Sequence, residues 1–135
     1  MTIVYILLAI LILELLIFLH ELGHFTAGKL LGFRILGFSL GFGPALFKFK
    51  KGETEYSLRA FPVGGLCQFD GEDEEDLEND PRRFNAQPVW KRFIVILAGP
   101  FMNILTAFLI AFVFYLCKPM PVYAVDPVTH YEVPI

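Results

Sequence analysis

The residues with the clearest chemical potential are two histidines and a glutamate near the N-terminus. His20, Glu21 and His24 form the pattern His-Glu-x-x-His inside a long apolar stretch of helix-compatible residues. Because residues four positions apart share one face of an α-helix, both imidazoles can reach one metal ion, and zinc is the usual metal for this pattern. Glu21 could take a proton from a zinc-bound water, whose pKa the metal lowers towards neutrality. With Zn²⁺ as cofactor, these residues would hydrolyse a peptide bond.

The elements that carry these residues are predicted to be membrane helices. The chain has 135 residues, of which 56% are hydrophobic, more than is typical of a soluble domain. Charges are nearly absent from two long apolar stretches and frequent between them. The pattern predicts a mainly α membrane protein whose first transmembrane helix covers residues 1–31 and whose second covers residues 93–117. The apolar run passes without a cleavage site into His20, which argues against a removable signal peptide.

The connection between the two helices, residues 32–92, has strand character. Residues 35–49 and residues 54–63 are predicted to form a β-hairpin, with a turn at residues 50–53. Asp80 and Pro81 are typical of a helix start and predict a short amphipathic helix through Phe84 on the membrane surface. The acidic run before it, residues 72–80, favours a solvated loop.

Basic residues predict the orientation in the membrane. Nearly all of them lie in the connection, and only Lys118 lies in the outer parts of the chain. By the positive-inside rule, the connection is cytoplasmic and both termini are extracytoplasmic, in a multi-pass protein of the cell membrane. Cys67 and Cys117 would then lie on opposite sides of the bilayer, so no disulfide is expected. The basic residues on this side are Lys29, at the end of the first helix, and Arg34, Lys48, Lys50, Lys51, Arg82, Arg83, Lys91 and Arg92 in the connection.

Several ordered motifs, beyond the histidines, give the chain a family resemblance. It resembles the N-terminal portion of the site-2 protease family, peptidase family M50, and particularly the bacterial branch that carries a PDZ domain. The resemblance covers nearly everything through Cys117. It is carried by Gly41-Phe42-Gly43-Pro44, Thr54-Glu55-Tyr56, Pro62-Val63-Gly64-Gly65, Phe84-Asn85 with Arg92, and Ala98-Gly99-Pro100 with Asn103.

This resemblance implies regulated intramembrane proteolysis. Substrates would be transmembrane segments of membrane proteins, such as anti-sigma-factor-like proteins or leftover signal peptides, cleaved within the lipid bilayer. The hairpin would re-enter the membrane near the zinc and hold the substrate extended by strand addition, although a packing role alone stays open. Asn103 would bind the substrate, although a bond to another helix explains a buried Asn equally well. Residues 118–135 would be an extracytoplasmic tail that begins a PDZ region truncated here.

A third zinc ligand is not evident in the sequence. In the family it is an aspartate on a later transmembrane helix, and no such helix follows Cys117. Asp70 precedes a glycine as that aspartate does, but it lies in the polar connection. Asp126, His130 and Glu132 fall on the predicted outer side, away from the zinc. Glu14, which lies inside the first helix, matches no motif and is assigned no role.

Two other functions are compatible with parts of the pattern. A non-catalytic membrane module could capture substrate helices or regulate a full-length relative, with an incomplete zinc site. A proton or metal transporter could use the same ionisable residues, but two spans cannot easily enclose a pathway. The histidines could also simply reach towards the membrane surface. Nothing in the sequence indicates nucleic-acid binding or a particular oligomeric state.

Overall fold

The computed structural model describes residues 2–72, 80–118, 123–125 and 132–134, with the side chains up to residue 118. The predicted acidic loop lies mostly outside the described residues. In chain order, the elements are α1 (Thr2–Leu30), β1 (Ile35–Lys51), β2 (Thr54–Phe69), a 3₁₀ turn (Phe84–Ala86), α2 (Val89–Cys117), β3 (Tyr123–Val125) and β4 (Glu132–Pro134). β3 and β4 pair with each other as a short antiparallel ribbon.

The two long helices are apolar enough and long enough to cross a membrane. Each has 29 residues, and their most apolar windows have mean hydropathies of 2.9 and 2.3. At 1.5 Å per residue, each is about 43 Å long, more than the roughly 30 Å of a hydrocarbon core. The prediction of two apolar helices is confirmed. α2 begins at Val89, four residues before the predicted start, so Lys91 and Arg92 lie in its first turn.

Small residues let α1 and α2 cross closely. A Cβ atom added to Gly23 would lie 2.9 Å from both the carbonyl carbon of Ala98 and Cγ of Met102. Real Cβ atoms do not approach other atoms so closely, so only glycine fits this position. Membrane helices are held together largely by such close packing, because lipid removes the hydrophobic drive between them.

The predicted hairpin is confirmed, and it is more folded than the sequence indicated. β1 and β2 pair antiparallel from Lys51 opposite Thr54 to Ala45 opposite Arg59. Residues 37–40 also pair with residues 65–68 in the antiparallel direction. On their other side, residues 37–40 pair with residues 55–58, and there the two segments run in the same direction. The two bent strands therefore make four segments in the order 65–69, 35–40, 55–58 and 47–51. β2 extends six residues beyond the predicted end at Val63.

Glycines allow the bends that fold each strand back. Gly41 and Gly64 have φ angles of +79° and +101°, which other residues rarely adopt. A Cβ atom on Gly64 would also overlap the ring of Phe42. The bends of β1 and β2 thus lie together at one end of the sheet, with Phe42 packed over Gly64.

Aromatic contacts attach the sheet to the second half of α1. The Phe25 ring lies 5.1 Å from that of Phe38 and 6.0 Å from that of Tyr56, centroid to centroid. One helical turn further on, Gly28 is in contact with Phe69 and Ile35, which are both buried. Strand segment 65–69 consequently runs along α1.

Asp70 ties the end of β2 to the segments on either side of it. Its side chain is only 4% exposed and pairs with Nη1 of Arg34 at 3.0 Å and with Nε of Arg83 at 3.5 Å. Its backbone N–H donates to the Arg34 carbonyl, and its carbonyl accepts from the N–H of Phe84. We refer to these four residues as the Asp70 latch.

The short helix predicted from Pro81 through Phe84 is replaced by a turn. A carboxylate oxygen of Asp80 accepts the backbone N–H of Arg82 at 2.8 Å, which closes the turn. A single 3₁₀ turn follows at Phe84–Ala86. The guanidinium of Arg82 bonds Asp80 and also reaches Glu53, and these hydrogen bonds hold the pKa of both carboxyl groups below their usual values.

We predict that Asp70→Ala lowers the free energy of unfolding by about 3 kcal/mol, because two largely covered guanidinium groups lose their shared carboxylate. SDS titration in mixed micelles measures this quantity. Lys48→Ala is the control, since it removes an ion pair to Glu55 whose side chains are 54% and 50% exposed, and should cost under ~0.5 kcal/mol. Equal effects of the two substitutions would contradict a structural role for the latch.

Candidate metal centre

The two histidines of α1 present their Nε2 atoms to the same point. These atoms lie 3.2 Å apart, with the rings nearly perpendicular at 78°. Two nitrogen ligands at the usual zinc distance of about 2.0–2.1 Å lie about 3.3 Å apart in tetrahedral geometry. The separation of the Nε2 atoms of His20 and His24 therefore fits a zinc ion held between them.

A backbone carbonyl of α2 orients His24. Its Nδ1 lies 2.7 Å from the carbonyl oxygen of Val95. A carbonyl oxygen can only accept, so Nδ1 carries the proton and Nε2 carries the lone pair that a metal requires. Val95 is itself almost fully buried at the crossing of the helices.

Gly99 leaves open the volume into which both Nε2 atoms point. A Cβ atom added there would lie 2.7 Å from Nε2 of His20, and closer still to Nε2 of His24. A side chain there would therefore crowd both Nε2 atoms, which a metal bound by the two histidines would also contact. In the sequence, Gly99 stood out only as part of the Ala98-Gly99-Pro100 motif. The signal that could have indicated its role is a glycine beside Pro100 in an otherwise bulky apolar helix.

Glu21 lies beside the metal position and the edge of the sheet. Its Cγ is next to Gly65, where an added Cβ atom would lie 2.8 Å from it. Glu21 and His24 line a cavity of about 210 Å³ whose opposite wall includes Gly65, Leu66 and Cys67. We call this space the edge cavity. Its size and position would allow an extended peptide to pass the glutamate.

Cys67 faces the edge cavity as a neutral thiol. Burial, together with the negative charge of Glu21, raises the pKa of its thiol to about 12. A thiolate, the form that binds zinc, is therefore disfavoured at neutral pH. Cys67 and Cys117 are both free in the structure.

Asn103 contacts His20. Its amide Nδ2 lies 3.1 Å from Nδ1 of His20, the ring nitrogen that faces away from His24. Its Oδ1 is buried and has no hydrogen-bond partner in the described part of the chain. The role in substrate binding stays a prediction, and the contact that the structure contains is with a candidate metal ligand.

The other candidate ligands do not join the histidines. Within the described residues, no group of three or more His, Cys, Asp or Glu side chains could hold a metal. Asp70 is engaged by arginines in the latch. Asp126 and His130 lie outside the described residues, as does the side chain of Glu132. Glu14 lies two turns before Glu21 on α1, with one carboxylate oxygen buried and without a hydrogen-bond partner.

Comparison with known proteins gives consistent similarities. The sequence model of Peptidase family M50 matches residues 8–131. A relative from Chlamydia trachomatis is 41% identical over 125 residues, which cover 85% of this chain and 20% of that protein. Relatives from Nostoc sp. and Clostridium perfringens are 45% and 46% identical, over 76% and 78% of this chain and 29% and 31% of their own lengths. All three are provisionally named zinc metalloproteases, and this chain spans less than a third of each.

We predict that Gly99→Ala weakens zinc binding about 100-fold, because the added methyl group would collide with the Nε2 atoms of both histidines. Alanine favours a helix over glycine by about 1 kcal/mol, so a weakened helix would not explain the loss. Competition with a chelating dye in detergent measures the affinity. Ile110→Ala, on an exposed position of α2, should bind zinc normally. Wild-type affinity in Gly99→Ala would rule out this metal position.

Proposed function

Since the chain belongs to peptidase family M50, we propose that it acts as a zinc-dependent endopeptidase that cleaves transmembrane segments of membrane proteins within the bilayer. The observation that carries the proposal is the edge cavity, which sets a paired-histidine site and a glutamate against the edge of a β-sheet. Its partners would be transmembrane substrates and the lipid bilayer. The known relatives share the metalloprotease class, and the intramembrane place of cleavage is our own inference.

The depth of the site supports cleavage inside the membrane. His20 lies 17 residues after Ile3, about 25 Å along α1, and is still within the apolar helix. Strand segment 65–69 extends along α1 over the same depth. Phe69 contacts Gly28, and Gly65 is beside Ile17, about 16 Å nearer the N-terminus of α1. The bends beyond Gly65 expose apolar side chains, among them Phe42, Phe61 and Val63. An apolar end at this depth favours a hairpin that re-enters the bilayer.

A substrate helix must be opened before its peptide bonds can be reached. Each peptide group in a membrane helix is engaged in the helix's own hydrogen bonds. An extended substrate could replace those bonds by adding to a sheet edge. Residues 55–58 cannot accept a strand, because they are paired on both sides. Residues 65–68 pair only with β1 among the described residues, and their other side borders the edge cavity. We therefore assign strand addition to residues 65–68.

The chemistry would be divided among three residues. His20 and His24 would hold the zinc ion, which when bound polarises a peptide carbonyl and acidifies a water molecule. Glu21 would take the proton from that water and deliver it to the departing amine. The Glu21 carboxylate is suited to this, because it makes no hydrogen bond or ion pair within the described part of the chain. Gly65 leaves room for this side chain beside the sheet.

The proposed enzyme also needs a third zinc ligand and a defined orientation in the membrane. A catalytic zinc ion normally has three protein ligands, so we propose that the third comes from outside the described residues. We also propose that the connection is cytoplasmic and both termini are outside, because the basic residues are concentrated in the connection. The latch and the polar turn at Gly52 would then lie at the cytoplasmic surface.

Glu21→Gln should lower cleavage by at least about 100-fold while zinc binding stays near wild type, because the amide cannot accept the proton of the attacking water. The protein would be reconstituted in liposomes with a single-pass substrate, and zinc content measured on the same preparation. Glu55→Gln, on the exposed face of the sheet, is the matched control. Undiminished cleavage by Glu21→Gln would exclude it as the base.

Proline at residues 65–68 tests strand addition. One of Leu66→Pro and Cys67→Pro removes an N–H that points into the edge cavity, and should reduce cleavage about tenfold or more with zinc retained. Lys48→Pro removes an outward-facing donor at the opposite edge of the sheet, segment 47–51, and should leave cleavage intact. If all three variants cleave alike, the substrate does not add to this edge.

A further inference from the structure

We propose that Asn103 is a positioning residue for metal binding, and that its amide oxygen accepts the Nδ1 proton of His20. This inference rests on the zinc site of the proposed function, and it assigns Asn103 a role different from substrate binding. The contact at 3.1 Å joins α2 to the ring nitrogen of His20 that a metal would not use.

The position of the ring proton decides whether His20 can bind a metal through Nε2. A neutral imidazole carries one proton, so Nε2 can bind a metal only when that proton is on Nδ1. His24 meets this condition, because its Nδ1 donates to the carbonyl of Val95. Among the described residues, His20 has no carbonyl at the equivalent position and has the Asn103 amide instead. After rotation of the amide, the Asn103 oxygen could perform for His20 what the Val95 carbonyl performs for His24.

The two ends of the amide have opposite consequences. With Nδ2 towards His20, the amide donates to Nδ1, and the ring proton must then be on Nε2, 3.2 Å from Nε2 of His24. That arrangement links the histidines by a hydrogen bond and leaves Oδ1 of Asn103 buried without a partner.

A half-turn of the amide frees Nε2 of His20 for a metal and moves Nδ2, in place of Oδ1, to the buried position that has no partner among the described residues. Its oxygen and nitrogen have nearly the same shape, so rotation about the last side-chain bond exchanges them without displacing neighbours. Oδ1 then accepts from Nδ1 of His20, and both Nε2 atoms turn lone pairs towards the volume beside Gly99. We infer that the zinc-loaded protein has this orientation, since only it presents two unprotonated ligands.

Three substitutions of Asn103 distinguish an acceptor from a donor. Asn103→Asp keeps the shape and the acceptor but lacks a donor, so zinc affinity should stay within about threefold of wild type or rise. Asn103→Leu has a similar volume and no hydrogen bonding, so affinity should fall about 10- to 100-fold. Thr106→Val is the control. Its hydroxyl bonds Met102 within α2, so affinity should not change.

NMR of the zinc-loaded, ¹⁵N-histidine-labelled chain in detergent provides a second readout. The Nδ1 proton of His20 should exchange slowly with water in the wild type and in Asn103→Asp, and rapidly in Asn103→Leu. The Nδ1 proton of His24 should be unaffected, which reports an intact helix crossing. If Asn103→Leu disturbs His24 as well, the Asn103→Asp variant alone decides the question.

Two outcomes would overturn the inference. If Asn103→Asp binds zinc as weakly as Asn103→Leu, Asn103 acts as a donor. If all variants bind like wild type, Asn103 does not position His20. Neither measurement involves proteolysis, so failure to cleave a membrane substrate would count against the proposed function alone.

Discussion

The close crossing of α1 and α2 is the constraint on which the candidate site depends. Gly23 admits the backbone of α2 at Ala98, and Gly99 admits the two imidazoles on the other side of the contact. Only at this separation can Nδ1 of His24 reach a backbone carbonyl of α2 at 2.7 Å. Two apolar helices in lipid gain little from hydrophobic burial against each other. Glycines, which have no side chain, allow the close backbone contact that holds such helices together. A methyl group at either glycine would separate the helices and the groups that orient the histidines.

The sheet depends on the same helix for its position. Aromatic rings join it to the second half of α1, and the Asp70 latch holds the end of β2 to its neighbouring segments. Strand segment 65–69 is thereby held parallel to the part of α1 that carries Glu21. The catalytic candidates and the sheet edge are therefore attached to the same helix, and together they line the edge cavity. This arrangement suits an enzyme that must bind an unwound segment before it can cleave it.

The sequence predicted the parts of the fold that depend on residues close together in the chain, and it missed parts that depend on contacts between distant segments. The two long helices and the hairpin were predicted because apolar length and strand alternation are local signals. The site residues His20, Glu21 and His24 came from a pattern that occupies five positions of one helix. The second pairing of residues 37–40 was missed, because glycine bends fold each strand back in a way that alternation does not record. That pairing leaves residues 65–68, and not residues 55–58, with an unpaired side among the described residues.

The sequence by itself determined that two histidines and a glutamate share a helix, that this helix is apolar, and that the chain resembles peptidase family M50. These properties follow from residue types and spacings within single elements, which helix geometry converts directly into a shared face. Only the tertiary structure decided that Gly99 leaves the metal volume open, that Asn103 and Val95 contact the outer ring nitrogens, and that the edge of β2 borders Glu21. Each of these contacts joins residues more than 40 positions apart, and depends on how closely two surfaces pack, which no local pattern encodes.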